Sequence, residues 1–427
     1  MVSVISIFKY CIIKNCEKPL FLNSIITMNL PKLILHPAKI DALLRRHPYV
    51  FSGAIKGKVG VLREGDVVEL YLPNGNYLAT AHYQAGGSIA ARILSFEQQP
   101  IDAAFWRQAL QKAFQYRLST GIADNILAAS ATNAYRLVHG EGDALPGLII
   151  DFYNGTAVMQ CHTAGMYQSR QAIAEAMSQV LGERLKAVYD KSAETLPQNT
   201  GLTAQNAYLI GGLGKNEILE NGCKYYVDWE SGQKTGFFLD QRDSRQLLTQ
   251  YAKDRRVLNT FCYTGGFSVA ALRAGAASVC SIDSSQKAID LCQQNISLNG
   301  VNADRHSSQC TDVMKFLQQS TPNAYDLIVL DPPAYAKHID ARHNAIQGYK
   351  RLNAKALSLI DSGGLLFTFS CSAVIDSALF AHTIAAAAIE VGRSVRILHR
   401  LSQPPDHPVN IFHPEGAYLK GLVLYVE

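Results

Sequence analysis

Between Leu30 and Phe96 the hydrophobic positions come in short alternating runs. Val67-Val68-Glu69-Leu70-Tyr71-Leu72 and Tyr77-Leu78-Ala79-Thr80-Ala81 flank Pro73-Asn74-Gly75-Asn76. A period of two turns one face of a pleated strand toward a core, and the Pro/Asn/Gly cluster supplies the reversal, so the pattern predicts a hairpin. With a short helix over Pro37 to Arg46, it predicts a small β-rich barrel over residues 29–97.

The period then lengthens. Phe105, Ala109, Leu110, Ala113 and Phe114 fall at helical spacing within residues 101–127, and alternation returns from Leu137 to Val158 with turn signals at Gly140, Pro146-Gly147 and Asn154-Gly155. A second helix over Tyr167 to Leu181, a strand over Leu185 to Asp190 and a loop from Ser192 to Asn206 complete a small α+β unit over residues 98–214.

From residue 215 to 427 a hairpin turning at Asn221-Gly222 leads into alternating β and α signals. Strands are predicted near Val257 to Phe261, Val279 to Asp283, Asp326 to Asp331, Gly364 to Ser370 and Gly421 to Val426. Such alternation builds an α/β domain on a parallel sheet, whose ligands bind beyond the carboxyl ends of the strands near the point where strand order reverses.

The chain has 427 residues, 48% hydrophobic and 18% charged, which is enough apolar surface for two or three cores. Its net charge of +5 permits a polyanionic partner without demonstrating one. The nine cysteines form no CxxC pair, which argues against a zinc ribbon or a disulfide framework and favours a reducing cytoplasm. No run reaches the roughly 20 apolar residues of a membrane span, and no metal site is read. Lys9, Lys14 and Lys18 interrupt the apolar stretches of the first 27 residues, unlike a secretory signal. Residues 1–28 are read as an extension ahead of the fold, with Met28 as the natural start.

The candidate chemistry lies just after the predicted strands. Val257 to Ser268 runs from a strand into a glycine turn and a helix, making Phe261, Tyr263, Gly265 and Gly266 candidates for close approach to a ligand. The turn lacks the GxGxxG spacing that cradles a pyrophosphate, so an adenosyl ligand without phosphates is favoured over a dinucleotide. Asp283 ends the next strand, where a carboxylate can accept from two ribose hydroxyls; the competing role is a cap for the helix beginning at Ser284. Asp312 is a weaker candidate for an adenine amino group and could equally cap Val313 to Gln319.

Leu327-Ile328-Val329-Leu330-Asp331-Pro332-Pro333-Ala334-Tyr335 is the sharpest motif. Two prolines stop the strand and hold Asp331 at the mouth of the site, where it could recognise a base or stabilise its protonated form. Cys371 ends the neighbouring strand. Carbon-5 of cytosine is a poor nucleophile until a thiolate adds at carbon-6, and a thiol of ordinary pKa, about 8.5, is usefully ionised near neutrality. For a cysteine chosen blindly, packing would be the better reading; its place beside Asp331 favours chemistry. Cys161, Cys280 and Cys292 read as packing, and Cys262, in the ligand turn, as a much weaker nucleophile.

Together these motifs resemble the bacterial 23S ribosomal RNA cytosine-5 methyltransferase I family. Matching stretches include His47-Pro48-Tyr49-Val50-Phe51-Ser52-Gly53-Ala54-Ile55, Gly142-Asp143-Ala144-Leu145-Pro146-Gly147-Leu148, Gly236-Phe237-Phe238-Leu239-Asp240-Gln241-Arg242 and Pro414-Glu415-Gly416-Ala417-Tyr418-Leu419-Lys420-Gly421. The resemblance covers nearly everything after Met28. It implies an N-terminal PUA domain that grips RNA, an α+β middle domain and a class I, Rossmann-like methyltransferase domain with a seven-stranded sheet. It also implies S-adenosylmethionine held by Asp283 and the Gly265 turn, and Cys371 as nucleophile. Gln241 and Arg242 are expected near the cofactor on the same ground, although Asp240 to Arg245 could simply be a polar helix start.

The expected partner is 23S ribosomal RNA, with no membrane association; a homodimer is left open. Three rival readings stay in view. Related enzymes with similar cofactor motifs methylate guanine ring or exocyclic nitrogens and need no cysteine, and an acid followed by Pro-Pro and an aromatic residue is compatible with that chemistry too. A catalytically silent RNA-binding protein would have no need of intact Asp283, Asp331 and Cys371. A nicotinamide-dependent oxidoreductase is disfavoured by the glycine spacing and by the final strand.

Overall fold

The computed structural model describes residues 30–123, 131–336 and 338–427. The extension expected over residues 1–28, and residues 124–127 of the segment at helical spacing, lie outside the described residues.

The first unit comprises β1 (Lys32–Leu35), α1 (Asp41–Leu44), β2 (Tyr49–Phe51), β3 (Ile55–Val59), β4 (Val67–Tyr71), β5 (Tyr77–Tyr83) and β6 (Ile89–Ser95), its sheet ordered β2-β6-β5-β4-β1-β3. Leu33, Leu35, Val68, Leu70, Ala79 and Ala81 line its core, as alternation predicts. The helix expected over Pro37 to Arg46 is instead a 3-10 turn, Pro37–Lys39, followed by the single turn of α1. So short a segment gains little from helix propagation, and buried Ile40 and Leu43 pin it to the sheet.

The middle unit comprises α2 (Ala103–Ser119), β7 (Ala134–His139), β8 (Leu148–Tyr153), β9 (Thr156–Cys161), α3 (Ala164–Gln168), α4 (Arg170–Leu181), β10 (Ala187–Asp190) and β11 (Ala207–Ile210), with sheet order β11-β10-β9-β8-β7. Asp102 caps α2, accepting from the amides of Ala104 and Phe105 at 2.9 and 3.0 Å. The second expected helix begins earlier, at α3, where Thr163 is the cap. A side chain at Gly165 would sit 2.3 Å from the His82 ring, so this glycine lets α3 close against β5 of the first unit.

The hairpin of β12 (Glu217–Glu220) and β13 (Cys223–Tyr226) turns at Asn221 and Gly222, both at positive φ, as a tight hairpin requires. Beyond it come α5 (Arg242–Thr249), β14 (Arg256–Thr260), α6 (Gly266–Arg273), β15 (Ser278–Asp283), α7 (Gln286–Leu298), β16 (His306–Cys310) and α8 (Val313–Gln319). The chain finishes with β17 (Tyr325–Leu330), α9 (Arg342–Leu359), β18 (Ile360–Ser370), α10 (Ser377–Glu390), β19 (Val395–Leu401) and β20 (Lys420–Val426).

The seven strands are ordered β16-β15-β14-β17-β18-β20-β19; β14 to β18 run parallel and β20 runs against both neighbours. Leu327 to Leu330 are fully buried under helices on both faces, which is why β17 reads as an unbroken apolar run. The edge strands β16 and β19 carry exposed polar positions and so gave the weakest sequence signal. Among the described residues no helix is long and apolar enough to cross a membrane.

Candidate active site

Strand order reverses between β14 and β17, the place where a parallel sheet opens a crevice. A cavity of ≈ 240 Å³ lies there, lined by the turn after β14, Asp283 after β15, Asp331-Pro332-Pro333 after β17 and Cys371 after β18. Four segments far apart in sequence thus converge because each follows a parallel strand.

The turn after β14 is conformationally costly: Phe261, Tyr263 and Gly265 all have positive φ, at 55°, 46° and 78°. It is held by the Cys262 amide donating to Ile282 O at 3.0 Å and by the Tyr263 amide donating to Asp283 Oδ2 at 2.9 Å. The Tyr263 hydroxyl accepts from the Gln233 amide at 3.0 Å and donates to Gly236 O at 3.2 Å. Phe261, Tyr263 and Gly266 line the cavity. Gly265 serves differently from the expectation: a side chain there would fall 2.4 Å from Cys292 Sγ on α7, so the missing Cβ admits a helix rather than a ligand.

Asp283 is not the cap of α7. Ser285 takes that role, accepting from the Ala288 amide at 3.3 Å, while Asp283 Oδ1 accepts from the Ser285 amide at 2.9 Å. Two amides therefore orient a carboxylate that also faces the cavity. Asp312 departs from its expected contact with the ligand. It caps α8 through the Lys315 amide at 2.8 Å and does not line the cavity.

Gln241 lines the cavity, but Arg242 does not. Successive helical residues diverge by about 100°, so neighbours in sequence face different ways. Arg242 points into the protein and pairs with Asp406 at 2.6 Å. The residue that shares the Gln241 face is Arg245, four positions on, and it lines the cavity instead. Helical spacing could have singled it out. Its guanidinium is engaged by Glu220 at 2.6 and 2.8 Å and by Phe238 O at 2.9 Å.

Asp240 is a cavity residue that sequence reasoning assigned no role. Its Oδ2 accepts from the Tyr418 hydroxyl at 2.7 Å. Its Oδ1, like Gln241 Oε1, is a buried acceptor without a donor among the described residues.

Burial, then the charge of Asp240, pushes the Asp331 carboxyl up to about 7, against a hydrogen bond from Gln241 and the charge of Arg245. Cys371, half-buried, is pushed up to about 11 by burial and by Asp331 and Asp240, with Lys420 opposing. The expectation of a thiol with ordinary acidity is therefore corrected: burial first, and then its acidic neighbours, disfavour a negative charge on Cys371. Cys262 also lines the cavity, but a hydrogen bond to Cys292 and burial raise its thiol well above the usual range. Cys161 and Cys292 are buried and Cys280 is half-buried within their elements, as expected of packing residues.

Asp240, Asp283 and Asp331 face the cavity, and Glu220 neutralises the lone lining guanidinium. Such a set of acceptors suits a cationic ligand carrying hydrogen-bond donors and disfavours a pyrophosphate. The sulfonium, ammonium and hydroxyl groups of S-adenosylmethionine fit it.

A family model for S-adenosylmethionine-dependent methyltransferases matches residues 135–424, and one for a PUA-like domain matches residues 33–96. The ribosomal RNA large subunit methyltransferase I of Klebsiella pneumoniae (strain 342) is 38% identical over 401 residues, covering 93% of this chain and 98% of its own length. That of Escherichia coli (strain SMS-3-5 / SECEC) is 38% identical over 400 residues, covering 92% and 99%. Among solved structures, a SAM-dependent methyltransferase from Streptococcus mutans superposes with a TM-score of 0.77 at 24% identity, covering 92% of this chain and 99% of that one. A methyltransferase complexed with SAH gives 0.77 at 25% identity, with the same coverage. The chain belongs to the S-adenosylmethionine-dependent methyltransferases and, within them, to the ribosomal RNA large subunit methyltransferase I family.

Proposed function

We propose that this protein methylates carbon-5 of a cytosine in 23S ribosomal RNA, with Cys371 as the nucleophile. The observation that carries the reading is that Cys371 and Asp331, at the ends of adjacent strands, line the same cavity as the Asp283 turn. The relatives' name supports a large-subunit ribosomal RNA substrate, and the PUA-like unit supports an RNA partner.

The sulfur of Cys371 adds to carbon-6, forming an S–C bond and making carbon-5 an enamine carbon that can take a methyl group. Asp331, titrating near neutrality, accepts the thiol proton as the base arrives and then, as a neutral acid, hydrogen-bonds the ring nitrogen N3. S-adenosylmethionine, when bound, supplies a methyl group already activated on a sulfonium. Asp283 orients the ribose, and the Asp240 carboxylate favours the cationic form over the neutral product. Loss of the carbon-5 proton to a base then restores the ring as the S–C bond breaks and the thiolate leaves. If the target lies in a helix, flipping it into the cavity costs a few kcal/mol.

A second reading, methylation of a guanine nitrogen, is favoured by one observation: the resting thiol of Cys371 is poorly acidic. Mass spectrometry of 23S ribosomal RNA incubated with labelled S-adenosylmethionine separates the two. Label on cytosine carbon-5 that vanishes with Cys371→Ala is the expected result. Label on guanine, or methylation that survives the substitution, selects the alternative.

A further inference from the structure

Lys420 opens β20 and is the sole charged residue in a strand that otherwise reads Gly-Leu-Val-Leu-Tyr-Val. It is 7% exposed, and its register partner is Ser370, the residue before Cys371. Its Nζ donates to Ser372 O at 2.7 Å and to Tyr418 O at 2.5 Å, and no carboxylate pairs with it among the described residues. A buried ammonium without a counter-ion is costly. Here it is held by a carbonyl one residue beyond Cys371, behind the residues that line the cavity.

We propose that Lys420 is a positioning residue for the Cys371 thiolate: its ammonium, clamped by the carbonyls of Ser372 and Tyr418, is the positive charge against which the sulfur ionises. Asp331 and Asp240 face the thiol from β17 and from the turn before α5, and both oppose ionisation. Tyr349 approaches it from α9 as a neutral phenol. Asp376, at the start of α10, is the carboxylate whose charge reaches Lys420. Among the described residues Lys420 is the cation that acts on the sulfur, and its two carbonyl acceptors stabilise the charged form. Removing that charge leaves Asp331 and Asp240 beside the thiol with a backbone hydrogen bond alone to offset them among the causes that act on it.

This inference rests on Cys371 being the reactive sulfur, yet its test needs neither RNA nor cofactor. The rate of carboxymethylation of Cys371 by iodoacetate is unsuitable, because the reagent is itself anionic; iodoacetamide, with the modified peptide quantified by mass spectrometry, follows thiolate alone. Lys420→Gln keeps a donor for the carbonyls and removes the charge. Its profile of rate against pH should move up by at least one unit, which is about tenfold slower alkylation at a fixed pH below the midpoint. Lys420→Arg should stay close to wild type. Thermal melting of each variant establishes that it is folded. A folded Lys420→Gln with the wild-type profile overturns the proposal, as does Lys420→Arg slowing to the level of Lys420→Gln. Methylation that persists in Cys371→Ala would instead refute the covalent reading and leave the effect of Lys420 on the thiol standing.

Discussion

Arg242 and Asp406, 164 residues apart, meet as a buried ion pair of 2.6 Å between the start of α5 and the loop joining β19 to β20. The same Asp406 oxygen accepts from the Arg136 amide at 2.9 Å on β7, so one carboxylate ties the middle unit to α5 and to the loop between β19 and β20. An Arg expected to touch the cofactor therefore acts as a joint. Asp406→Asn leaves the guanidinium buried with only Glu220, 3.9 Å away and shared with Arg245, as countercharge and should cost about 3 kcal/mol of stability. Urea unfolding measures it. A change below 1 kcal/mol would show that the pair contributes nothing net.

Asp283 is oriented by the amides of Tyr263 and Ser285 and faces the cavity. Asp283→Ala should weaken S-adenosylmethionine by about 10- to 100-fold, the loss expected for charge-assisted hydrogen bonds to a ligand. Calorimetric titration reads it directly. Unchanged affinity would remove Asp283 from the ribose site.

Asp331 holds its proton up to about pH 7 in the folded protein, whereas the unfolded chain releases it near 4. The folded state thus binds more protons across that window, and this group's contribution to stability is present below pH 4 and lost as pH rises through 7. Asp331→Asn carries no charge to bury. It should be more stable than wild type at pH 8 by a few kcal/mol and nearly equal to it at pH 4. An equal gain at both pH values would mean that the carboxyl is not titrating there.

Gly265→Ala should destabilise the protein by about 2 kcal/mol or more, since φ is +78° and the new methyl falls 2.4 Å from Cys292 Sγ. Adding Cys292→Ala removes the sulfur and should restore part of the loss, leaving the backbone penalty. Melting temperatures of the single and double variants report it; a double variant no better than Gly265→Ala would place the whole cost in the backbone.

Much of the site was legible because its pieces follow strands. The unbroken apolar run of β17 ending in Asp331-Pro332-Pro333, and the Asn221-Gly222 turn, are signals carried within a few residues. Asp312 and Arg242 went astray for a shared reason: a polar residue at a helix start can face the cavity, cap the helix or turn inward. Sequence adjacency does not choose among these, because 100° separates each residue from the next.

By itself, the sequence determined the β-rich start, the α/β class of the last part and the carboxyl-terminal strand ends that line the cavity, since periodicity and turn chemistry are local. Tertiary structure alone decided that Tyr418 would hold Asp240, that Glu220 would neutralise Arg245 and that Lys420 would sit behind Cys371. It also decided the acidity of Asp331 and Cys371, because the free energy of a charge depends on what lies within a few ångströms in space, and those neighbours come from distant parts of the chain.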